Sequence, residues 1–137
     1  MELEPYLFFS GNCEEALTFY AAVFGGEITA MMRVGDTPMA AQMPPESHKN
    51  IMHANFKSPE LRFMASDASP GKSYGEGPIS LSLGMRDVAE AQRIFNRLAE
   101  GGNVDQPLED MFWGAKFGML TDRYGIDWMI NCETKQP

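Results

Sequence analysis

Two stretches of the chain share one polar and apolar rhythm. After Asn12 the apolar residues fall at Ala16, Phe19, Tyr20, Val23 and Phe24; after Asp87 they fall at Ala91, Ile94, Phe95, Leu98 and Ala99. Both sets follow the i, i+3, i+4, i+7, i+8 spacing of a helix that buries one face. Each begins with a residue that can cap a helix start, and each has an acidic residue three positions on, Glu15 and Glu90. Such pairs satisfy unbonded N–H groups and suit the positive end of the helix dipole. Gly25-Gly26 and Gly101-Gly102 then stop the helices. The two caps and all five apolar pairs lie 75 positions apart.

Short β-like segments surround these helices. Tyr6–Ser10 and Ile79–Met85 precede them. Glu27–Arg33, Ile51–Lys57 and Leu61–Ser66 follow the first; Asn103–Gln106, Lys116–Thr121 and Ile126–Asn131 follow the second. The final strands match at a spacing of 65, Leu61-Arg62-Phe63-Met64 against Ile126-Asp127-Trp128-Met129. The smaller spacing puts about ten extra residues in the first half, and the Pro- and Gly-bearing stretch 34–50 is their natural place. Two copies of one βαβββ module are therefore expected: an α+β domain spanning 1–137, with modules at about 1–67 and 79–132 and a linker at about 68–78. The two modules should form an open, curled mixed β-sheet with the helices outside.

Composition narrows the function. With 44% hydrophobic and 22% charged residues the chain is an ordinary globular one. A net charge of -8 repels phosphate backbones and anionic lipid surfaces, so neither nucleic acid nor a membrane is an expected partner. No apolar run reaches the length of a membrane span. The start MELEPYLFF lacks the features of a secretory signal, which leaves the cytoplasm as the expected compartment. Cys13 and Cys132 have no CxxC spacing. Cys13 stands at a helix start, where a thiol pKa can fall, but a small semi-buried residue is the simpler reading.

A specific set of segments carries a family resemblance. Pro5-Tyr6-Leu7, Gly11-Asn12, Glu14-Glu15-Ala16, Phe19-Tyr20 and Phe24-Gly25-Gly26 belong to it, as do Ile51-Met52-His53-Ala54 and Met64-Ala65-Ser66-Asp67. Phe112-Trp113-Gly114, Gly118-Met119-Leu120-Thr121-Asp122-Arg123 and Trp128-Met129-Ile130-Asn131 complete it. In these residues the chain resembles the vicinal oxygen chelate superfamily of glyoxalase I, extradiol dioxygenases and bleomycin-resistance proteins, in its PhnB-like branch. The resemblance implies half-barrel modules with a small-molecule ligand in a cavity between them, and a homodimer. It also implies metal ligands on the first and last strands of each module, commonly two His with one or two Glu. Alignment on the helix starts and final turns puts Pro5, Ser80, Met64 and Met129 at those positions. None is a good ligand for the usual divalent ions, so no metal and no other cofactor is expected.

Strand alternation drafts the ligand face. With Met64 and Met129 inward, Arg62, Asp127 and Asn131 share their side, and Pro5, Leu7, Phe9, Ser80 and Ser82 line the first strands. Tyr6, Phe8, Leu81, Leu83, Phe63 and Trp128 should then pack beneath the helices. Arg62 can fork onto a carboxylate or phosphate, or pair with Asp127. Trp113 can stack on a planar ligand, seal a dimer contact or simply pack. The 11 methionines suit an adaptable apolar wall or an ordinary core. His48 is expected in a loop and His53 on a strand; a Glu46, His48 and His53 metal cluster is a weaker reading than two separate residues. Imidazole titrates near neutral pH, which makes His53 the candidate acid or base. Neither a GxSxG elbow nor a GxGxxG or GxxxxGKS loop is present. The methyltransferase label sometimes given to such sequences therefore has no cofactor motif behind it. Metal-independent binding of a small, partly apolar molecule is the leading expectation. A superfamily enzyme using His53 or a relocated metal is the alternative, and a purely structural module is a third.

Overall fold

The computed structural model describes residues 1–68 and 78–134. Most of the expected linker lies outside them. The chain divides into two compact units, Met1–Tyr74 and Gly75–Pro137.

The first unit runs β1 (Tyr6–Phe9), α1 (Cys13–Phe24), β2 (Glu27–Arg33), β3 (Ile51–Lys57) and β4 (Arg62–Asp67). Its sheet has the order β1-β4-β3-β2. β1 runs parallel to β4 and the other pairs are antiparallel. The second unit repeats the plan with β5 (Leu81–Met85), α2 (Val88–Ala99), β6 (Asn103–Met111), β7 (Ala115–Thr121) and β8 (Asp127–Glu133), in the order β5-β8-β7-β6. The expected βαβββ duplication is thus present, and the two helices stand 75 positions apart as their patterns require.

One face of each sheet meets its helix. In the first unit Leu7, Phe9, Ala54, Phe56, Phe63 and Ala65 are buried together with Ala16, Leu17, Tyr20 and Val23 of α1. The Phe56 and Phe63 rings stack at 4.6 Å, and Tyr20 meets Phe63 edge-on at 5.9 Å. In the second unit Leu120, Trp128, Ile130 and Cys132 are buried, as are Ala91, Ile94, Phe95 and Leu98 of α2. Each large apolar side chain taken from water here contributes about 1.5–3 kcal/mol, so these layers dominate the stability.

The extra residues of the first unit form three short 3-10 turns, Val34–Asp36, Pro38–Gln42 and Pro45–Ser47. Thr37 caps the second by accepting a hydrogen bond from the Met39 N–H. His48 Nε2 holds the turns together by donating to the Ala40 and Met43 carbonyls, at 2.9 and 3.2 Å. Its role is architectural. Beyond these residues β6 extends further than expected, to Met111.

Candidate functional site

Three polar side chains meet on the face of the first sheet that points away from α1. Cross-strand pairing places them there. Tyr6 pairs with Met64, Asn55 with Met64, and Met32 with His53. His53 and Asn55 are two residues apart on β3 and so share a face. His53 Nε2 donates to Asn55 Oδ1 at 2.9 Å, and His53 Nδ1 accepts from Tyr6 Oη at 3.3 Å. Asn55 Oδ1 can only accept, which puts the imidazole proton on Nε2 and leaves Nδ1 as the acceptor. Phe8 stands 4.8 Å from the Tyr6 ring, and Met32 and Met64 flank the network. The result is a polar line in apolar surroundings, with Tyr6, Phe8 and Met32 exposed.

Chemically, the Tyr6 hydroxyl still has lone pairs to accept from a ligand while it donates to His53. Transfer of its proton to Nδ1 would make it a nucleophile or base toward a bound molecule. The same line can equally fix the orientation of a ligand without reacting.

The expected face of β1 requires correction. Leu7 and Phe9 lie on the helix side, in the core, and Phe9 meets Tyr20 with ring centroids 6.4 Å apart. Tyr6 and Phe8 occupy the open face instead. The cause is the turn before the helix. Three residues, Ser10-Gly11-Asn12, link β1 to α1, while Arg86-Asp87 alone link β5 to α2. The additional residue is accommodated by Gly11 at φ 94°, a conformation costly for other residues. Alignment on the helix starts is therefore one residue out along β1, and a one-residue slip exchanges the faces of a strand. Tyr6, paired with Met64, is the counterpart of Ser82, paired with Met129. Pro5 likewise gives way to Glu4 as the counterpart of Ser80.

Arg62 is engaged within its own unit. Its Nε lies 3.2 Å from Glu4 and an Nη 3.5 Å from Glu2. Asp127 instead accepts from Thr121 Oγ1 at 2.6 Å. The acidic neighbours of Arg62 in its own unit are thus Glu2 and Glu4.

On the second sheet the expected face holds. Ser82 pairs with Met129, and Phe117, Met119 and Thr121 pair with Asn131, Met129 and Asp127. Leu81, Leu83 and Trp128 fall on the α2 side, as expected. Ser80 is exposed just ahead of β5. Trp113 Nε1 donates to Asn131 Oδ1 at 3.3 Å, and the Trp113 ring meets Phe117 edge-on at 5.7 Å. This joins two of the expected ligand residues, Trp113 and Asn131.

The donor set does not fit the divalent ion usual in such modules. In the first unit Met64 offers a thioether and the Glu4 carboxylate is paired with Arg62; in the second Met129 offers a thioether and Ser80 a neutral hydroxyl. Among the described residues no group of three or more His, Cys, Asp and Glu could hold a metal.

Neither β–α turn offers a glycine-rich loop for a methyl donor. Asp67 closes the first, its Oδ1 accepting from the Gly11 and Cys13 N–H groups at 2.9 Å and its Oδ2 from the Ile51 N–H at 2.8 Å. Asp87 closes the second by accepting from the Glu90 N–H at 3.2 Å.

The same Asp67 changes the reading of Cys13. Burial above all, then the Asp67 and Glu14 carboxylates, push its thiol up to about 12, opposite to the lowering that a helix start alone would favour. Burial also raises Cys132. Both thiols are buried, and in both the protonated form is favoured.

Tyr6 and Asn55 are the functional candidates that sequence reasoning missed. Asn55 was legible as the residue two beyond His53 on the same strand. Tyr6 was concealed by the longer β1–α1 turn.

Comparison with known proteins agrees with this architecture. A family model described as 3-demethylubiquinone-9 3-methyltransferase matches residues 1–131. Protein YjdN of Escherichia coli (strain K12) is 34% identical over 145 residues, covering 100% of this chain and 99% of that protein. The crystal structure of protein PA1353 from Pseudomonas aeruginosa is similar at 45% identity and TM-score 0.87, covering 98% of this chain and 99% of that one. The PhnB protein from Bacillus cereus is similar at 26% identity and TM-score 0.79, with 96% and 99% covered. A glyoxylase/bleomycin resistance protein/dioxygenase domain from Frankia sp. EAN1pec shares the fold at 14% identity and TM-score 0.68, with 97% of both chains covered.

Proposed function

This chain belongs to the 3-demethylubiquinone-9 3-methyltransferase family, in the PhnB-like branch of the vicinal oxygen chelate superfamily, and we propose that it binds a small, partly apolar molecule without the usual catalytic metal. The observation that supports this is the Tyr6–His53–Asn55 line on the open face of the first sheet. Ligand sites commonly combine apolar walls with a few fixed polar groups. Here Phe8, Met32 and Met64 supply the wall. Tyr6 supplies the hydrogen bond, with its direction set by His53 and Asn55. A thioether-rich donor set disfavours Mg²⁺, Mn²⁺, Fe²⁺, Ni²⁺ and Zn²⁺ in the superfamily's positions, so binding should not depend on them.

A thermal-shift screen of neutral and carboxylate-bearing aromatic compounds, with and without a chelator, tests the proposal. Hits should survive the chelator and weaken about two- to tenfold in Tyr6→Phe and His53→Gln, as expected for loss of a single hydrogen bond. Hits that need a divalent ion, or that ignore both substitutions, would overturn it.

The second reading is acid–base catalysis, favoured by the Tyr6 to His53 hydrogen bond. It requires turnover of a bound compound that Tyr6→Phe abolishes while binding persists. A two-fold homodimer is a further part of the proposal, supported by Phe112, 94% exposed at the β6–β7 hairpin. Light scattering that gives the monomer mass at micromolar concentration would count against it. Among the described residues no helix is long and apolar enough to cross a membrane.

A further inference from the structure

The Tyr6–His53–Asn55 line has a direction. Asn55 Oδ1 accepts from His53 Nε2, so Nδ1 is the bare nitrogen of the ring and Tyr6 donates its only hydroxyl proton to it. Toward the open face Tyr6 therefore presents lone pairs and no proton. The Asn55 amide has engaged its oxygen but keeps both Nδ2 protons, since among the described residues neither Tyr6 nor Asn55 makes a further side-chain hydrogen bond. One end of the line accepts and the other donates.

The register puts an apolar floor between these ends. Met64 pairs with Tyr6 on one side and with Asn55 on the other. The strands that carry Tyr6 and Asn55 are two spacings apart, about 10 Å. Both side chains reach the same imidazole, which shortens the gap between them. A single ring with one polar group at each end suits this span. The Met64 thioether favours an aromatic face, and Phe8 stands beside Tyr6. A ligand oxygen without a hydrogen would meet only lone pairs at Tyr6 and would lose its hydration without a new bond. An O–H or N–H group gains a bond there. At Asn55 the requirement is the opposite, a carbonyl oxygen.

Resting on the reading of this line as a ligand site, we propose that it selects an aromatic compound with an O–H or N–H donor at one end and a carbonyl at the other. The donor bonds Tyr6 and the carbonyl bonds Asn55. Asn55 is also a positioning residue, because the imidazole proton it fixes on Nε2 sets the direction of the Tyr6 hydroxyl.

The first test uses the full chain without a ligand. At pH 8, where an ordinary imidazole is neutral, the ¹⁵N signals of His53, assigned with His53→Gln, should show a bare Nδ1 and a protonated Nε2. A proton on Nδ1 would overturn the polarity. Asn55→Leu should turn this pattern into a mixture of tautomers; an unchanged pattern would overturn the positioning role. Three probes then read the two ends by titration followed in NMR spectra. 4-Aminoacetophenone carries both groups, 4-methylacetophenone lacks the donor and 4-ethylaniline lacks the carbonyl. Tyr6→Phe should reduce the preference for the amino over the methyl probe about two- to tenfold, the loss of one hydrogen bond, and leave the preference for ketone over ethyl unchanged. Asn55→Leu should reduce the ketone preference by a similar factor. Comparing preferences rather than affinities cancels any loss of packing in the variants. Probes that bind saturably but keep both preferences in both variants would overturn the selection and leave the ligand site standing. Absence of saturable binding by all three probes would remove the ligand site as well.

Discussion

The two modules share a fold plan but put their key carboxylate in different places. In the first module it is Asp67, at the end of β4, where it accepts three backbone N–H groups from the β1–α1 turn, the start of α1 and β3. In the second it is Asp122, in the final turn, where it accepts the Tyr124 and Ile126 N–H groups and the Trp128 indole. Each module handles the other position differently. Ser58 serves the final turn of the first by accepting from the Leu61 N–H at 3.0 Å. Asp87 caps the helix of the second with its own side chain. The difference teaches that a repeat preserves the need to satisfy buried N–H groups, not the residue that does so.

The largest effect should come from Asp122→Ala. Asp122 is 3% exposed, and its loss would leave the Trp128 indole and two turn N–H groups without their acceptor. Unfolding in urea should show a loss of about 3–5 kcal/mol. A loss below about 1 kcal/mol would break the comparison by showing that the turn is held by packing alone.

Asp67→Ala should follow at about 2–4 kcal/mol, being less deeply buried but removing three acceptor contacts. Asp67→Asn offers a sharper readout through Cys13. Without the carboxylate the thiol pKa should fall from about 12 but stay high, because burial is the larger cause. Alkylation rates against pH measure it. The sign for stability follows from the raised value. The native state holds the thiol proton more tightly than the unfolded chain, so the contribution is fully present below the unfolded thiol value and is lost as pH rises toward about 12. Stability that stays flat across this alkaline range would contradict the burial of Cys13.

The smallest effects separate the two helix starts. Asp87→Ala should cost about 1 kcal/mol through loss of its contact to the Glu90 N–H. Asn12→Ala should cost only a few tenths of a kcal/mol, since Asn12 makes no side-chain cap bond and reaches only the Ser10 N–H at 3.3 Å. Equal losses at the two sites would mean that Asp67 does not replace the local cap.

The sequence made Asn12 and Asp87 look equivalent because both are good capping residues at matching positions. It could not show that β4 delivers a carboxylate to the first helix start, since Asp67 is remote from it in the chain. The candidate site was legible to the same extent. His53 stood out as the one of two histidines that falls on a strand pattern, and strand alternation gave the shared face of Ser82, Met129 and Asn131 on the second sheet. The face of Leu7 and Phe9 was not given this way, because it depends on how many residues the β1–α1 turn absorbs.

The sequence by itself determined the two amphipathic helices, the duplicated βαβββ order and the place of the insertion. These are written in local spacing, 3.6 residues per turn in a helix and two per repeat in a strand, and in the glycine and capping signals at their ends. Only the tertiary structure decided the parallel register of β1 on β4, which turns Tyr6 and Phe8 outward and sends Leu7 and Phe9 into the core. It also decided which side chains meet across strands: Tyr6 with His53, and Asp67 with the helix start. The physical reason is that register and cross-strand contact depend on residues brought together over long chain separations, where a single extra residue in a turn reverses a whole strand without altering its local pattern.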